Sequence, residues 1–165
     1  MYKTVFDYLI SFGYNEKSAA DYIKSNMPHL EYEMSKLVEQ IKRHEGFRSK
    51  PYKCTADKLS IGYGLNLDAG IDEELADVIL NHQLHKITYQ LWSLDWFAGL
   101  SNNRQDVIVN LVFNIGYNGM LKFKKMIAAI KAGDFELAAG EMLDSKWAKQ
   151  VGNRAIELAN QMRSD

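Results

Sequence analysis

The sequence lacks the features that mark disulfide-rich, disordered, membrane-spanning and nucleic-acid-binding proteins. It holds one cysteine and two prolines among 165 residues, and its formal net charge is −1. A single cysteine excludes an internal disulfide framework, and the scarcity of proline argues against long disordered stretches. No hydrophobic run approaches the ~20 residues of a membrane-spanning helix. The near-neutral charge supplies no overall field that would recruit nucleic acid. We therefore expect a folded protein with no membrane span and no nucleic-acid partner.

The amino-terminal segment shows no signal peptide. Its apolar stretch from Val5 to Tyr14 is interrupted by Asp7, and only Lys3 precedes it as a positive charge. No small-residue cleavage site follows, as a secretory signal would require. We therefore expect no signal-dependent export.

The same segment predicts a small domain extension. Two short helical patterns are separated by Gly13 and stopped by Pro28. We interpret residues 1–30 as a helical hairpin extension and residues 31–165 as the main domain. So short a hairpin buries too little apolar area to stand alone, which favours a brace packed on the main domain over a binding appendage.

A predicted amphipathic helix ends at an acidic residue. Apolar residues recur at helical spacing from Met34 to Ile41, and the pattern ends at Glu45, just before Gly46. The segment that follows, residues 51–68, is predicted to form a small sheet with a turn at residues 56–58. A helix is thus expected to place a carboxyl group beside a small sheet.

Two further reactive side chains lie in that sheet segment. Cys54 follows Glu45 by nine residues, and Ser60 follows Cys54 by six. A carboxyl at a helix end, facing a hairpin that carries a second reactive group, suits acid-assisted cleavage of a glycosidic bond.

The family resemblance rests on HEGFRSKPYKCT followed by SIGYG. This run resembles the motif of the phage-type lysozymes, the muramidase or endolysin family of the T-even type. That family has a catalytic Glu before Gly, an Asp or Cys nine residues later, and a Thr six beyond, leading into a Gly-x-Gly turn. Glu45, Cys54, Gly62 and Gly64 match it. Ser60 stands in place of Thr, and Cys54 replaces the carboxylate of the usual two-carboxyl mechanism.

Two fragments nearer the carboxyl terminus extend the resemblance. NLVFNIG at residues 110–116 is similar to the family segment that lines the cleft opposite the acid, and SKW with GNRA, at residues 145–147 and 152–155, is similar to its C-terminal motif. The resemblance implies that Arg154 pairs with Glu45. It implies substrate-binding or supporting roles for four residues: Phe113, Asn114, Trp147 and Arg154. Without it, Trp147 would be interpreted as a core residue and Arg154 as a surface cation.

The fold that the resemblance implies is α+β and mostly helical. A lysozyme-like chain has a small β-hairpin lobe and a larger helical lobe joined by a long helix, with the active-site cleft between them. The pattern here agrees, because Asp72 can cap a long helix that continues to about Trp92. Further helical patterns follow at residues 105–113, 121–131, 135–143 and 146–162.

The activity that the resemblance implies is hydrolysis of bacterial peptidoglycan. The bond cut would be the β-1,4 linkage between N-acetylmuramic acid and N-acetylglucosamine. Glu45 would protonate the leaving oxygen, while Cys54 and Ser60 activate or position water. One alternative is a catalytically weak wall-binding module. The presence of Glu45, the Ser60 hydroxyl and Arg154 argues against it, because such a module would not need all three. The other alternative is a cysteine hydrolase that uses Cys54 with His44.

No cofactor or metal is expected. His82 and His85 lie three residues apart in the long helix, but no third ligand accompanies them. The expected partner is peptidoglycan, and we expect a monomer. With no signal peptide, the resemblance implies that the enzyme stays in the host cytoplasm until a holin or a similar lesion releases it to the cell wall.

Overall fold

A computed structural model of the protein describes residues 33–164, together with residues 10, 11, 15, 17, 18 and 22. The chain divides into two compact units, with the boundary between Ile71 and Asp72. The predicted hairpin at residues 1–30 lies largely outside the described residues, so its role as brace or binding appendage stays a prediction.

The first unit begins, in its described part, with helix α1 at Glu33–Glu45. The helix ends at the predicted residue because Gly46 adopts a positive φ of 64°, a conformation that glycine reaches without steric cost. The N–H of Gly46 donates to the carbonyl oxygen of Lys42 at 3.0 Å and closes the last turn. Glu45 is therefore the final helical residue.

A three-stranded antiparallel sheet follows in the order β1-β2-β3. Its strands are β1 at Arg48–Lys53, β2 at Leu59–Gly62 and β3 at Leu65–Asn66. Strand β1 is an edge strand and contains Pro51. Proline has no N–H to donate, and an edge strand tolerates it because the missing donor can face away from the neighbouring strand. The register between β1 and β2 shifts in this stretch. The sheet thus begins a few residues before the predicted segment.

The β1–β2 turn lies where it was predicted. The N–H of Cys54 donates to the carbonyl oxygen of Lys58, and the N–H of Asp57 donates to that of Cys54, both at 2.9 Å. Asp57 takes a positive φ of 57°, a conformation in which Asp is less strained than most residues. Two backbone hydrogen bonds therefore fix the turn immediately after Cys54.

The second unit is helical and opens with the long helix α2 at Glu73–Leu91. Its predicted cap is confirmed, because the Asp72 side chain accepts a hydrogen bond from the N–H of Leu75 at 2.8 Å. The helices that follow are α3 at Asp95–Ala98, α4 at Asn102–Ile115, α5 at Tyr117–Met120, α6 at Lys124–Lys131, α7 at Phe135–Leu143, α8 at Lys146–Val151 and α9 at Asn153–Arg163. None of the helices at residues 33–164 is long and apolar enough to cross a membrane.

The core of this unit centres on helix α4. Val107, Ile108 and Leu111 are fully buried, and α4 packs against α2 and α9, while α7 packs against α6 and α9. Sulfur-containing side chains fill much of the space, namely the fully buried Met120, Met126, Met142 and Met162. Methionine suits the irregular gaps between short helices because its side chain is unbranched and adaptable.

The predicted class is confirmed, and two predicted helices are corrected. The chain is α+β, with a small sheet and a larger helical part. The predicted helix at residues 146–162 is two helices, because Gly152 breaks it with a positive φ of 58°. The predicted helix at residues 121–131 begins only at Lys124. The short helix α5 precedes it and is joined to α4 through Gly116.

Candidate active site

The Glu45 carboxylate lies against the backbone of the β2–β3 turn. A methyl group built on Gly64 would sit 3.5 Å from Oε2 of Glu45, and Gly64 has a φ of 91°. The positive φ is what favours glycine at this position, because a methyl group 3.5 Å from the carboxylate would make only an ordinary van der Waals contact. The Glu45 side chain is exposed, so its carboxyl group is accessible to a bound molecule.

The sheet register places Cys54 and Ser60 on one face. Ser60 pairs with Tyr52 across β1 and β2, and side chains two residues apart in a strand share a face. Cys54 therefore projects on the side of Ser60, whose side chain lies close enough to the thiol to lower its pKa. Ser60 is only 3 % exposed, whereas Cys54 is half-buried. The two residues predicted to act together are neighbours.

The turn after β1 stabilises the thiolate form of Cys54. The pKa of the Cys54 thiol is lowered from its ordinary value, chiefly by a hydrogen bond from the backbone of Ala56 and then by one from Lys58. The Ser60 side chain adds a smaller contribution in the same direction, while partial burial opposes the shift. More of the thiol is ionised at neutral pH than in an ordinary cysteine, so a larger fraction of Cys54 is in the thiolate form that can act as a base or a nucleophile.

Asp57, the nearest other carboxylate in sequence, is engaged elsewhere. It occupies the β1–β2 turn, as predicted, and its Oδ1 accepts from Nζ of Lys53 at 2.7 Å. Both side chains are largely exposed, so the ion pair contributes little stability. It does hold the Asp57 carboxylate in the turn.

In the second unit, the two matched fragments meet at Trp147. Its indole Nε1 donates to Oδ1 of Asn114 at 2.7 Å, and the edge of its ring system packs on Phe123 with centroids 6.3 Å apart. Trp147 is 4 % exposed. Trp147 therefore occupies the core, and its indole N–H positions an exposed amide on α4. Phe113, beside that amide, remains 42 % exposed.

Arg154 is held by an asparagine to which the sequence assigned no role. Nε of Arg154 donates to Oδ1 of Asn110 at 3.0 Å, and Nη2 donates to the same oxygen. Asn110 and Asn114 are four residues apart on α4, and side chains at that spacing share a helix face. Each amide thus holds one side chain from the C-terminal motif. The i, i+4 spacing of the two asparagines was the signal that could have identified Asn110.

The candidate residues form two local groups. Glu45, Cys54 and Ser60 belong to the first unit, and the residues around Asn110 and Trp147 belong to the second. The pairing of Arg154 with Glu45 involves both units and stays a prediction. Among the described residues, no group of three or more His, Cys, Asp or Glu side chains is arranged to hold a metal ion.

The chain is similar to several phage proteins. The profile of the phage lysozyme family matches residues 42–164. An endolysin of Acyrthosiphon pisum secondary endosymbiont phage 1 is 34 % identical over 117 residues, which cover 68 % of this chain and 77 % of that protein. An endolysin of Bacillus phage B103 is 30 % identical over 122 residues, or 70 % of this chain and 45 % of that one. The pre-baseplate central spike protein Gp5 of Enterobacteria phage T4 is 25 % identical over 157 residues, or 74 % and 26 %. The chain thus spans about three quarters of the first relative and less than half of the other two.

Proposed function

The chain belongs to the phage lysozyme family and is a lysozyme-type peptidoglycan hydrolase, and we propose that Glu45, Cys54 and Ser60 perform the cleavage. The bond cut is the β-1,4 linkage between N-acetylmuramic acid and N-acetylglucosamine. The observation that supports this assignment is the placement of an exposed Glu45 against Gly64. The same unit holds Cys54 with the Ser60 side chain next to its thiol.

Glu45 is the general acid in this proposal. It protonates the leaving glycosidic oxygen as the bond to the anomeric carbon breaks, which avoids expulsion of an alkoxide. The site needs a proton donor that the substrate can reach, and the exposure of Glu45 meets that need. Gly64, which lies beside this carboxyl group, has no side chain.

Cys54 is the general base, and Ser60 orients the water that it activates. The hydrogen bonds from Ala56 and Lys58 favour the thiolate, which accepts a proton from water as that water attacks the anomeric carbon. A base with a water between it and the sugar inverts the anomeric configuration, whereas direct attack by sulfur would retain it through a thioglycosyl intermediate. We favour the base because the Ser60 hydroxyl, adjacent to the thiol, can hold the water.

The residues of the second unit bind and support the substrate. Phe113 and Asn114 are exposed on α4 and offer a ring face and an amide to the sugar. Trp147 holds the Asn114 amide in one orientation. Arg154, oriented by Asn110, orients the Glu45 carboxyl group. In this proposal Arg154 therefore affects the rate through Glu45 and makes no contact with the substrate.

The experiment that tests the function is product analysis on purified peptidoglycan. A lysozyme releases new reducing sugar ends and leaves the stem peptides intact. A cysteine hydrolase acting through Cys54 and His44 would instead release new amino groups from cut peptides. A wall-binding module would co-sediment with the wall and release neither product. New amino groups, or no product at all, would refute the proposal.

Delivery to the wall forms a separate part of the proposal. Two relatives carry the name endolysin, which supports a role in lysis of the bacterial host. We expect the protein to act as a monomer after a holin or similar lesion opens the way to the wall. Co-expression with and without a holin, followed by turbidity, tests this step.

A further inference from the structure

An exposed aromatic pair lies next to the candidate acid. The rings of Phe47 and Tyr63 have centroids 5.4 Å apart and planes inclined at 50°. Phe47 is 66 % exposed and Tyr63 is 43 % exposed. Large apolar rings usually lie inside a fold, so two that contact each other at the surface require an explanation.

The backbone that carries these rings also positions Glu45. Phe47 follows Glu45 by two residues, after the chain reverses at Gly46. Tyr63 is in the middle of the β2–β3 turn, closed by the Ile61–Leu65 pair, and immediately precedes Gly64, the glycine that lies against the Glu45 carboxylate. Both rings are therefore attached directly to the two backbone segments that meet at the acid.

The glycines on either side of Tyr63 keep the surroundings of its ring open. Gly62 and Gly64 both have positive φ, at 69° and 91°, and a Cβ built on Gly62 would meet no atom within 4 Å. The turn therefore carries one side chain between two residues that have none. Such an arrangement leaves the ring accessible to a flat ligand surface.

A sugar ring is a suitable partner for such a surface. The face of an aromatic ring carries the negative part of its quadrupole, and one face of a pyranose presents several weakly positive C–H groups. Stacking the two removes apolar surface from water without requiring a charge on either partner. Because the two ring planes are inclined to each other, the surface that they form is not flat, and it limits how a bound sugar can rotate.

We infer that Phe47 and Tyr63 form a stacking platform for one pyranose ring of the peptidoglycan glycan strand, next to the bond that is cleaved. The inference rests on the proposed function and adds to it a binding subsite and its ligand. The platform positions the strand so that the glycosidic oxygen lies within reach of Glu45. Neither ring takes part in proton transfer, so both are positioning residues.

A purely structural role is the competing explanation. The ring contact could merely fasten the end of α1 to the β2–β3 turn. In that case loss of either ring would lower thermal stability and kcat, since Glu45 would lose its support. A stacking platform predicts instead a change in KM with kcat and stability retained, so the two explanations differ in measurable quantities.

The test is steady-state release of reducing ends from soluble, uncross-linked glycan strands. For Phe47→Ala and Tyr63→Ala we expect KM to rise about 3- to 10-fold, the usual worth of one aromatic contact, with kcat within about twofold of wild type. Phe47→Tyr and Tyr63→Phe should restore KM because each keeps an aromatic face. Leu137→Ala is the control, since Leu137 is an apolar side chain that is 51 % exposed and lies in the other unit; its KM should not change.

A binding measurement separates this inference from the proposed function. Calorimetric titration of glycan strands into Glu45→Gln, with and without Phe47→Ala, needs no turnover. A weaker affinity in the double variant supports the platform. It does so even if the wild type releases no reducing ends, because that result would overturn the proposed function and not the binding subsite. Unchanged affinity, unchanged KM in both alanine variants, or a loss confined to kcat and melting temperature would overturn the platform.

Discussion

Replacing Cys54 tests the most unusual feature of the site. In Cys54→Ala the sulfur whose thiolate form the backbone of Ala56 and Lys58 and the side chain of Ser60 favour is removed. The two backbone hydrogen bonds of the turn do not involve the side chain, so the hairpin should keep its conformation. General base catalysis typically contributes ~10²- to 10⁴-fold. We therefore expect kcat to fall at least ~10²-fold without a matching loss of stability.

Cys54→Asp provides the complementary variant. The same backbone donors that favour a thiolate also favour a carboxylate, and Asp can accept a proton from water as the thiolate does. This variant should remain active. Iodoacetamide should inactivate the wild type and leave Cys54→Asp unaffected, because only the wild type offers a thiol at residue 54.

The pH dependence of alkylation tests the electrostatics of the thiol. A lowered pKa means that the thiolate is present at lower pH than in an ordinary cysteine, so the alkylation rate should reach half its maximum at lower pH than for a free thiol. Ser60→Ala removes one of the contributions that lower the pKa, so the midpoint should move upward. A midpoint that matches an ordinary thiol would contradict the proposed environment of Cys54.

The assay for the series is reducing-end release at saturating substrate, with melting temperature measured for each variant. Anomer analysis by NMR on the first-formed product should show inversion. A retained anomer, or a sugar adduct on Cys54 detected by mass spectrometry, would show that Cys54 acts as a nucleophile and not as a base. Full activity in Cys54→Ala would refute the reasoning about the thiol, and Asp57→Asn would then be the next variant to measure.

Three further changes test the supporting structure. Asn110→Ala leaves half-buried Arg154 with only the backbone carbonyl oxygen of residue 110 as a partner there and should cost ~1–3 kcal/mol of unfolding free energy, measured by urea denaturation; Asn110→Asp, which keeps a side-chain acceptor, should not. Gly64→Ala forces a side chain into a φ of 91°, 3.5 Å from the Glu45 carboxylate, and should lower kcat more than it raises KM. Trp147→Phe loses a 2.7 Å hydrogen bond and should lower the melting temperature, whereas an unchanged value would show that the bond contributes nothing.

The sequence predicted helix ends well wherever one residue determines them. Gly46 ends α1 because its positive φ interrupts the helix, and Asp72 begins α2 because its carboxylate accepts from the first turn. Both signals are local and depend on the chemistry of a single residue. For that reason they could be read from the sequence without knowledge of the packing.

The break at Gly152 could not be predicted by the same reasoning. Apolar side chains continue at helical spacing from Trp147 to Met162, so the periodicity predicts one helix. The two helices there, α8 and α9, each bury part of that pattern. A single glycine within a helical pattern does not by itself distinguish an interrupted helix from a continuous one.

The sequence indicated which side chains belong to the candidate site, but not which groups those side chains contact. The motif indicated Glu45, Cys54 and Ser60 as candidates, and their roles stay a prediction. The groups that lower the pKa of the thiol are chiefly backbone groups, whose directions depend on the turn geometry. The role of Asn110 required knowing that Arg154 from a distant helix reaches it. Hydrogen bonds between residues far apart in sequence depend on packing, which a pattern along the chain does not contain.

The most direct measurement is reducing-end release from purified peptidoglycan by Glu45→Gln, compared with wild type and with Glu39→Gln. Glu39 lies on the same helix, exposed and paired with Lys42 at 3.1 Å, so its replacement removes the same charge away from the site. We predict a loss of at least ~10²-fold for Glu45→Gln, with folding intact, and wild-type rates for Glu39→Gln. Near wild-type activity in Glu45→Gln would contradict the assignment of Glu45 as the acid.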